Sequence, residues 1–345
     1  MNFWWRRDEP FWVRAALSPL LLASATYTLG AAIDRRTARP VRARVPVISI
    51  GNLGAGGAGK TPVTLLIAQR LLARGLLPAV LSRGYGRLSR AAREVLTTTR
   101  FEEGGDEPVL IKRRCPQALV FVGARRSDLA DRAVDAGAQV LLLDDGLQHH
   151  ALARDLDVVV IDASNAFGNG HRLPRGPLRE SPSRLSALDR PLVWLTRCDL
   201  PRDPRAPRGD VESAFAAVGA PYLRGRRVFA FAGIARPESF VALLRSLGAE
   251  IEGTRFFSDH HRFSAAEIAA LPRKDLLVTT EKDFVRLPDS TGIVALAVDL
   301  RVLRGEDALD ARLREVVPGG PQREVVAGGP QREVVSGAPA PKVTP

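Results

Sequence analysis

The chain has 345 residues but only two cysteines, one methionine and three tyrosines, and 6% of its residues are aromatic. Cys115 and Cys198 are far apart in the sequence. Two isolated cysteines give neither a disulfide framework nor a cysteine-based metal cluster. We therefore expect a protein of a reducing compartment such as the cytoplasm.

Acidic residues are in deficit, with 38 Asp and Glu against 50 Lys and Arg, which gives a formal charge of +12. This excess favours an anionic partner, such as nucleic acid, an acidic membrane surface or a phosphorylated substrate. Basic residues are not interleaved with aromatic ones as in many nucleic-acid-binding proteins, so we expect no nucleic acid partner. The 45% hydrophobic content suits a large folded core.

The sequence has no long, strongly apolar run. Residues 15–33 carry no charge, but Ser, Thr and Pro dilute them, and arginines flank both ends. Three tryptophans and two phenylalanines lie within the first twelve residues. This pattern predicts a hydrophobic helix that lies in one membrane leaflet, with aromatic residues at headgroup level and arginines on anionic lipid. A signal peptide and a helix buried on the protein are the alternatives.

A glycine-rich stretch lies between a predicted strand, residues 45–50, and a predicted helix, residues 62–73. It has the spacing G-x-x-x-x-G-K-T in the strand–turn–helix context of a phosphate-binding loop. Glycines let backbone N–H groups curl around a phosphate, and the helix directs its positive end to the same anion. The predicted ATP-binding residues are Gly54, Ala55, Gly56, Gly57, Ala58, Gly59, Lys60 and Thr61, with Lys60 on the outer phosphates and Thr61 on Mg²⁺.

An apolar stretch, residues 139–143, leads directly into Asp144 and Asp145. A hydrophobic strand that ends in aspartate is the usual partner of a phosphate loop, because the carboxylate holds the Mg²⁺ shell. We therefore predict Asp144 and Asp145 as metal-side residues. His149 and His150 follow, and we expect surface or helix-capping positions for them.

Other polar residues follow predicted strands, at the edge where open α/β sheets bind ligands. Arg83 follows the strand at residues 78–82, and a basic loop at residues 164–185 contains Arg179. Asp106 precedes a helix, so it could be an N-cap or a catalytic carboxylate. His260 and His261 precede another helix near Ser264, where a solvent-facing pair and a catalytic role both remain open.

Alternation of strands and helices resumes near residue 228, which predicts a second, smaller unit. From Arg314 a nonapeptide rich in Gly and Pro repeats, which is typical of a disordered tail. The predicted fold is α/β: a P-loop NTPase-like doubly wound sheet with a second, smaller α/β lobe, an N-terminal hydrophobic helix and a disordered C-terminal tail. The predicted segments are 1–44 (membrane-associated helix and basic linker), 45–225 (P-loop kinase domain), 226–305 (smaller lobe) and 306–345 (tail).

Eight motifs now stand in order: GNLGAGGAGKTP, SRGYGR, GDEP, DDGLQHH, GPLRE, FAGIARPESF, DHHRF and TTEKDFVRL. Together they resemble the tetraacyldisaccharide 4′-kinases of lipid A biosynthesis. The resemblance extends from the N-terminal helix to about residue 300. Leu147 stands in DDGLQHH where the family commonly has Phe, a mild apolar exchange.

The resemblance implies a magnesium-dependent kinase that transfers the γ-phosphate of ATP to the 4′-hydroxyl of a tetraacylated glucosamine disaccharide 1-phosphate. It implies a location at the cytoplasmic face of the inner membrane, anchored by the N-terminal helix among anionic lipids. It places Asp106 as the base and His260 as its supporting histidine. Substrate or active-site organisation is expected of Arg83, Arg125, Arg179 and Glu180.

Two other functions share part of this pattern. A nucleotide-driven switch or metallochaperone has the loop and the aspartate strand, but it needs metal ligands or partner-facing switch segments. Another small-molecule kinase or ligase has no need of an aromatic, arginine-flanked N-terminal helix.

Overall fold

A computed structural model describes residues 2–5, 10–273 and 275–319, with only the backbone of Asn2, Phe3 and Pro221. One twelve-stranded sheet runs through it, in the order β10-β9-β11-β12-β8-β7-β6-β1-β5-β2-β4-β3. The strands are β1 (Val47–Gly51), β2 (Pro78–Ser82), β3 (Arg93–Glu94), β4 (Leu119–Val122), β5 (Val140–Asp144), β6 (Leu156–Asp162), β7 (Leu192–Thr196), β8 (Val211–Val218), β9 (Arg227–Ala232), β10 (Glu250–Phe256), β11 (Leu276–Thr280) and β12 (Ile293–Arg304).

Helices cover both faces of this sheet, as expected for a doubly wound α/β arrangement. On one face, Ile48 and Ile50 of β1 share a core with helices α3 (Lys60–Ala73), α5 (Asp106–Arg114) and α10 (Glu306–Val316). On the other face, Val47 shares a core with α6 (Arg126–Asp135). Successive side chains of β1 point to opposite faces of the sheet and therefore pack into two separate cores. The helices are α1 (Phe11–Ala16), α2 (Pro19–Thr37), α3 (Lys60–Ala73), α4 (Phe101–Gly104), α5 (Asp106–Arg114), α6 (Arg126–Asp135), α7 (Pro237–Ser246), α8 (Ala265–Ala269), α9 (Glu281–Phe284) and α10 (Glu306–Val316).

Strand β1 occupies the point where the strand order reverses. It pairs in parallel with β5 on one side and with β6 on the other. The loops that follow these three strands leave the sheet at the same edge. In open α/β sheets that edge carries the ligand-binding crevice, so the fold places the glycine-rich loop and Asp144–Asp145 there together.

The strands of the expected smaller unit belong to the same sheet. Strand β12 joins the two parts, because its first residues pair in parallel with β11 and the remainder pairs antiparallel with β8. The strand β8 was absent from our expectations, since its antiparallel partner lies far along the sequence. The segment boundaries at residues 44, 225 and 305 stay predictions.

The expectation of a disordered tail from residue 306 is wrong for its first part. Residues 306–316 form α10, whose Leu309 and Leu313 are fully buried. Arg70 of α3 makes ion pairs with Glu306 and Asp310. The Gly- and Pro-rich repeats begin only at the end of this helix, and residues 320–345 lie outside the described residues.

The N-terminal helix differs from the hydrophobic helix expected. Helix α2 covers residues 19–37, and no helix in the described part of the chain is both long and apolar enough to cross a bilayer. Ser24 faces the protein, where its hydroxyl donates to a carbonyl oxygen of Arg172 or Leu20. Leu22 and Leu29 on the opposite side are 77% and 62% exposed.

Candidate active site

The loop between β1 and α3 has the backbone that its glycines predict. Gly56 has φ +123° and Gly59 has φ +95°, conformations that L side chains rarely adopt. A Cβ on Gly59 would lie 2.9 Å from the Phe215 ring. The first turn of α3 carries no acidic side chain, so its backbone N–H groups and the positive helix end are available to an anion.

Lys60 lies across the base of this loop. Its ammonium donates to Asn52 Oδ1 at 3.1 Å and makes an ion pair with Asp145 Oδ1 at 3.4 Å. Thr61 follows in the first turn of α3 and is half-buried. The Lys60 ammonium therefore links the end of β1, the start of α3 and the end of β5.

Arg179 approaches Asp145 from the long loop after β6. Its Nη1 donates to both oxygens of Asp145, at 2.9 and 2.7 Å. Burial opposes ionisation of Asp145, but Lys60 and Arg179 outweigh it and hold the pKa of that carboxyl well below its usual range. Asp145 therefore remains ionised between two cations.

The segment around Arg179 also fixes the glycine-rich loop. The Ala55 N–H donates to the Pro177 carbonyl at 2.7 Å, and the Arg179 N–H donates to the Leu53 carbonyl at 2.7 Å. The buried Glu180 accepts from Gln148 at 2.9 Å and pairs with Arg184. These contacts place the segment from Pro177 to Glu180 against the glycine-rich loop.

Asp144 is fully buried beside these groups. Its Oδ2 accepts from Ser82 Oγ at 3.3 Å, while its Oδ1 has no hydrogen-bond partner among the described residues. Burial, with the nearby Glu107 and Asp145, raises the pKa of Asp144 to about 7. A dication would satisfy the orphaned oxygen and favour the ionised form, so this site fits Mg²⁺.

The site does not provide a complete cage for a metal. Within residues 2–5, 10–273 and 275–319, His, Cys, Asp and Glu side chains do not gather in threes or more as a metal site. Mg²⁺ is commonly held by one or two carboxylates together with substrate phosphates, which agrees with a donor set of this size.

Asp106 and His260 lie together although distant in sequence. Asp106 begins α5, is 3% exposed, and its Oδ2 lies 2.8 Å from His260 Nδ1. Its Oδ1 accepts from the backbone N–H of Glu107 at 2.9 Å. Burial works against ionisation, but His260, Lys282 and Arg286 together lower the pKa of Asp106.

His261 points elsewhere. Its Nε2 lies 3.1 Å from Glu267 Oε1, and its ring stacks on Phe257 with centroids 4.7 Å apart. His260, in contrast, has φ +59°, a strained value for a non-glycine residue that directs its ring to Asp106. The family resemblance favoured His260 over its neighbour, and the geometry places His260 against Asp106 and His261 against Glu267.

The predicted arginines have different environments. The Arg125 side chain is 80% exposed and lies 4.0 Å from Asp128 Oδ2. Its neighbour Arg126 is buried and donates to the Asp144 carbonyl at 3.2 Å. Arg83 is exposed but close enough that, after burial, it is the largest cause of the lowered pKa of Arg126. Arg126 is a site residue that the sequence analysis missed.

The two histidines after Asp145, His149 and His150, are partly exposed. Burial together with Arg126, Arg83 and Arg154 lowers the pKa of His149 to about 4, so its imidazole is neutral at physiological pH. Arginines near the two aspartates therefore also lower the pKa of His149.

Part of the N-terminal aromatic cluster packs on the loop rather than facing outward. The Trp5 ring lies so close to Gly56 that a Cβ there would be 2.9 Å from it. The Arg236 guanidinium lies 5.4 Å from the Trp5 ring centroid, and the Trp4 indole N–H donates to the Pro174 carbonyl at 3.0 Å. Trp12 remains exposed.

Lys282 is a second residue that the sequence analysis did not assign. It lies in TTEKDFVRL, in the short helix α9 that follows β11, and its ammonium contacts Glu107 Oε1 at 2.9 Å and His260 Nε2 at 3.2 Å. Its position after a parallel strand is the signal that could have found it.

Comparison with known proteins agrees with this geometry. A model of the tetraacyldisaccharide-1-P 4′-kinase family matches residues 14–318. A tetraacyldisaccharide 4′-kinase of Anaeromyxobacter dehalogenans strain 2CP-C is 46% identical over 90% of this chain and 93% of its own, and one of Syntrophobacter fumaroxidans is 39% identical over 89% of each. A crystal structure of LpxK from Aquifex aeolicus in complex with ATP matches with a TM-score of 0.72 and 26% identity, covering 88% of this chain and 99% of that one.

The range matched by the family model, residues 14–318, spans nearly the whole described chain. The chain belongs to the tetraacyldisaccharide 4′-kinase family.

Proposed function

We propose that this protein transfers the γ-phosphate of ATP to the 4′-hydroxyl of a tetraacylated glucosamine disaccharide 1-phosphate, giving the lipid IVA-type precursor of lipid A. The observation that carries this proposal is that two sets of functional residues lie on the same edge of the sheet. The glycine-rich loop with Lys60 and Asp145 supplies a phosphate site, and the Asp106–His260 pair supplies a proton acceptor on the same edge of the sheet.

Phosphoryl transfer requires alignment and charge neutralisation more than covalent participation of the protein. Residues 54–61 surround the triphosphate with backbone N–H groups, and Lys60 exchanges its contact with Asp145 for the outer phosphates. Arg179 and the buried Arg126 keep positive charge beside the carboxylates. Arg83 and the exposed Arg125 extend this charge toward an incoming lipid phosphate.

The acceptor oxygen attacks the γ-phosphorus, the bond to the bridging oxygen breaks, and ADP leaves. Asp106 takes the proton of the 4′-hydroxyl, as its ionised state permits. His260 holds the carboxylate through its contact with Oδ2. His261, held by Glu267 and Phe257, has a structural role.

Thr61, Asp144 and Asp145 form the Mg²⁺ side of the site. The ion, when bound with ATP, neutralises phosphate charge and orients the transferring group. Asp144 gains most from it, because its buried Oδ1 lacks another partner among the described residues. Asp145 remains ionised through its contacts with Lys60 and Arg179.

The N-terminal helices give the enzyme its membrane contact at the cytoplasmic face of the inner membrane. Phe11, Trp12, Leu22 and Leu29 are exposed apolar side chains on α1 and α2. We infer that this surface lies in one leaflet among anionic lipids without crossing it. The acyl chains of the substrate then remain in lipid while the sugar reaches the site.

Incubation with ATP labelled at the γ-phosphate tests the proposal. We expect labelled product with a tetraacyl disaccharide 1-phosphate acceptor and little with an acceptor that lacks the free 4′-hydroxyl. Equal labelling of both acceptors, or release of inorganic phosphate alone, would favour an ATP hydrolase or switch instead.

A further inference from the structure

The contact between Asp106 and His260 is one part of a longer chain of polar contacts. On its far side, His260 Nε2 faces Lys282 Nζ at 3.2 Å, and Lys282 Nζ also contacts Glu107 Oε1 at 2.9 Å. Glu107 directly follows Asp106 at the start of α5. Lys282 therefore bridges the carboxylate helix and the histidine.

Two ion pairs hold Lys282 in this place. Arg114, at the end of α5, pairs with Glu281 of α9 at 2.6 Å, and Lys282 pairs with Glu107 at the beginning of α5. Arg286 Nε donates to the Lys282 carbonyl at 3.2 Å. The short helix α9 is thus fixed along α5, and the ammonium position does not depend on the His260 contact alone.

The ammonium of Lys282 is charged. Burial opposes its charge, but Glu107, Asp106 and Asp259 raise the pKa of Lys282 above its usual value. A charged ammonium has only N–H donors and no lone pair. At 3.2 Å from such a donor, a ring nitrogen makes a hydrogen bond only as an acceptor.

We propose that Lys282 is a positioning residue that fixes His260 as the neutral tautomer with its proton on Nδ1. The chain of donors then runs one way: Lys282 donates to His260 Nε2, and His260 Nδ1–H donates to Asp106 Oδ2. The competing tautomer would place its proton on Nε2, toward Asp259 Oδ2, but that oxygen is 3.9 Å away.

In this arrangement Asp106 and His260 have different roles in proton transfer. Because Nε2 accepts from Lys282 and Nδ1 already carries a proton, His260 cannot readily take another one. The proton from the sugar hydroxyl then stays on Asp106. The inference rests on the proposed function for this consequence, whereas the tautomer is a property of the protein without substrate.

The test is nitrogen-15 NMR of the imidazoles in the full-length labelled protein at neutral pH, without nucleotide. The His260 signals are identified by their loss in His260→Gln. We expect a protonated Nδ1 and an unprotonated Nε2 in the wild type. A proton on Nε2, alone or in an imidazolium, would overturn the proposal without any variant of Lys282.

Lys282→Met keeps the length of the side chain and removes its donors, and Lys282→Arg keeps a donor. We expect His260 in the Met variant to carry a proton on Nε2 as well as the one that Nδ1 donates to Asp106, and we expect the wild-type tautomer in the Arg variant. An unchanged tautomer in a folded Met variant contradicts the proposal. Arg301→Met, which removes a cation from an exposed strand position, is the matched control and should leave the spectrum unchanged.

Kinetics separate this inference from the proposed function. We expect Lys282→Met to lower kcat about tenfold with the KM for ATP unchanged, which is less than the roughly 10²- to 10⁴-fold loss expected on removal of the acid–base group itself. An Nδ1–H tautomer in a protein that never phosphorylates the lipid acceptor would refute the function and leave the positioning role standing. Wild-type kcat in a Met variant with an altered tautomer would refute the catalytic consequence.

Discussion

His260 Nδ1 lies 2.8 Å from Asp106 Oδ2, which joins the start of helix α5 to a turn 154 residues later in the chain. The turn is anchored on its other side, because the His260 backbone N–H donates to the Gly233 carbonyl at 3.1 Å. Arg286 also donates to that carbonyl and to that of His261, at 3.0 Å each. The pair is thus held by Gly233, which follows strand β9, and by Arg286, which follows helix α9, rather than by local sequence.

Asp106→Asn should lower kcat by about 10²- to 10⁴-fold, because the amide keeps the shape but accepts no proton. ATP binding, measured by calorimetry, should change little, since the nucleotide contacts lie in the loop. Asp131→Asn, an exposed change on α6, is the control. Turnover near the wild-type rate in Asp106→Asn would rule out the carboxylate as base.

His260→Gln and His261→Gln should have opposite profiles. The first should reduce turnover with little loss of stability, because it removes the Asp106 contact. The second should lower the midpoint of thermal unfolding while turnover stays near normal, because His261 packs on Phe257 and pairs with Glu267. A larger loss of turnover in the His261 variant than in the His260 variant would show that His261, rather than His260, supports catalysis.

Lys60→Ala should lower the rate of phosphate transfer to about 1% of the wild-type rate or less, because a charge-assisted contact with the phosphates is lost. Arg70→Met removes a cation from the same helix, and the ion pairs of Arg70 are with Glu306 and Asp310. That control should keep its turnover and lose about 1 kcal/mol of stability at most. Single-turnover measurements with saturating ATP distinguish the two.

Adjacent arginines provide a matched pair. Arg126→Met should reduce turnover at least tenfold, because the buried guanidinium contacts the backbone of the carboxylate strand. Arg125→Met should have a smaller effect, confined to the KM for the lipid acceptor, since that side chain is exposed. Equal losses in both variants would remove the distinction that the structure makes.

The raised pKa of Asp144 predicts a pH-dependent stability. Its folded-state pKa of about 7 lies above its unfolded value, so its contribution is fully present below about pH 4 and is lost as pH rises toward 7. In the absence of nucleotide and metal, the free energy of unfolding of Asp144→Asn should therefore rise relative to that of the wild type by about 1 kcal/mol per pH unit between pH 4 and 7. Denaturant unfolding across this range measures the gain, and a difference that shrinks with rising pH would contradict it.

The exposed face of α2 can be tested without disturbing the site. Leu22→Glu combined with Leu29→Glu should reduce cosedimentation with anionic phospholipid vesicles more than tenfold, since two apolar side chains lose their lipid contact. Deletion before Arg35 should also release the protein, but it removes Trp5 from the loop as well. Leu303→Glu, a change at an exposed strand position, is the control. Unchanged sedimentation of the double variant would exclude this face as the anchor.

Sequence predicted the strand–loop–helix around Lys60 because that conformation is encoded within a short stretch, with glycines where positive φ is needed. The ends of β1 and α3 differ from the expected ones by a few residues. The Asp106–His260 contact was expected only through the family resemblance, since no local pattern links residues so far apart. Its presence depends on strands β9 and β11 lying in the same sheet.

Other features depend on packing that no short stretch contains. Arg125 and Arg126 are adjacent and identical in type, and only the start of α6 against β5 decides which one is buried. The pairing of β8 with β12 joins segments that composition alone leaves unassigned. Helix α10 was mistaken for tail because the repeats begin within it, although Leu309 and Leu313 have the spacing of one apolar face.

The central claim is that one edge of the sheet delivers phosphate from ATP to a lipid-borne sugar alcohol with Asp106 as the proton acceptor. Mass spectrometry and phosphorus NMR of the product from a tetraacyl disaccharide 1-phosphate test it most directly. We predict one new phosphate monoester, at the 4′-position, with the wild type and a rate at least about 10²-fold lower with Asp106→Asn. A phosphate at another position, or equal product from both proteins, would contradict the account.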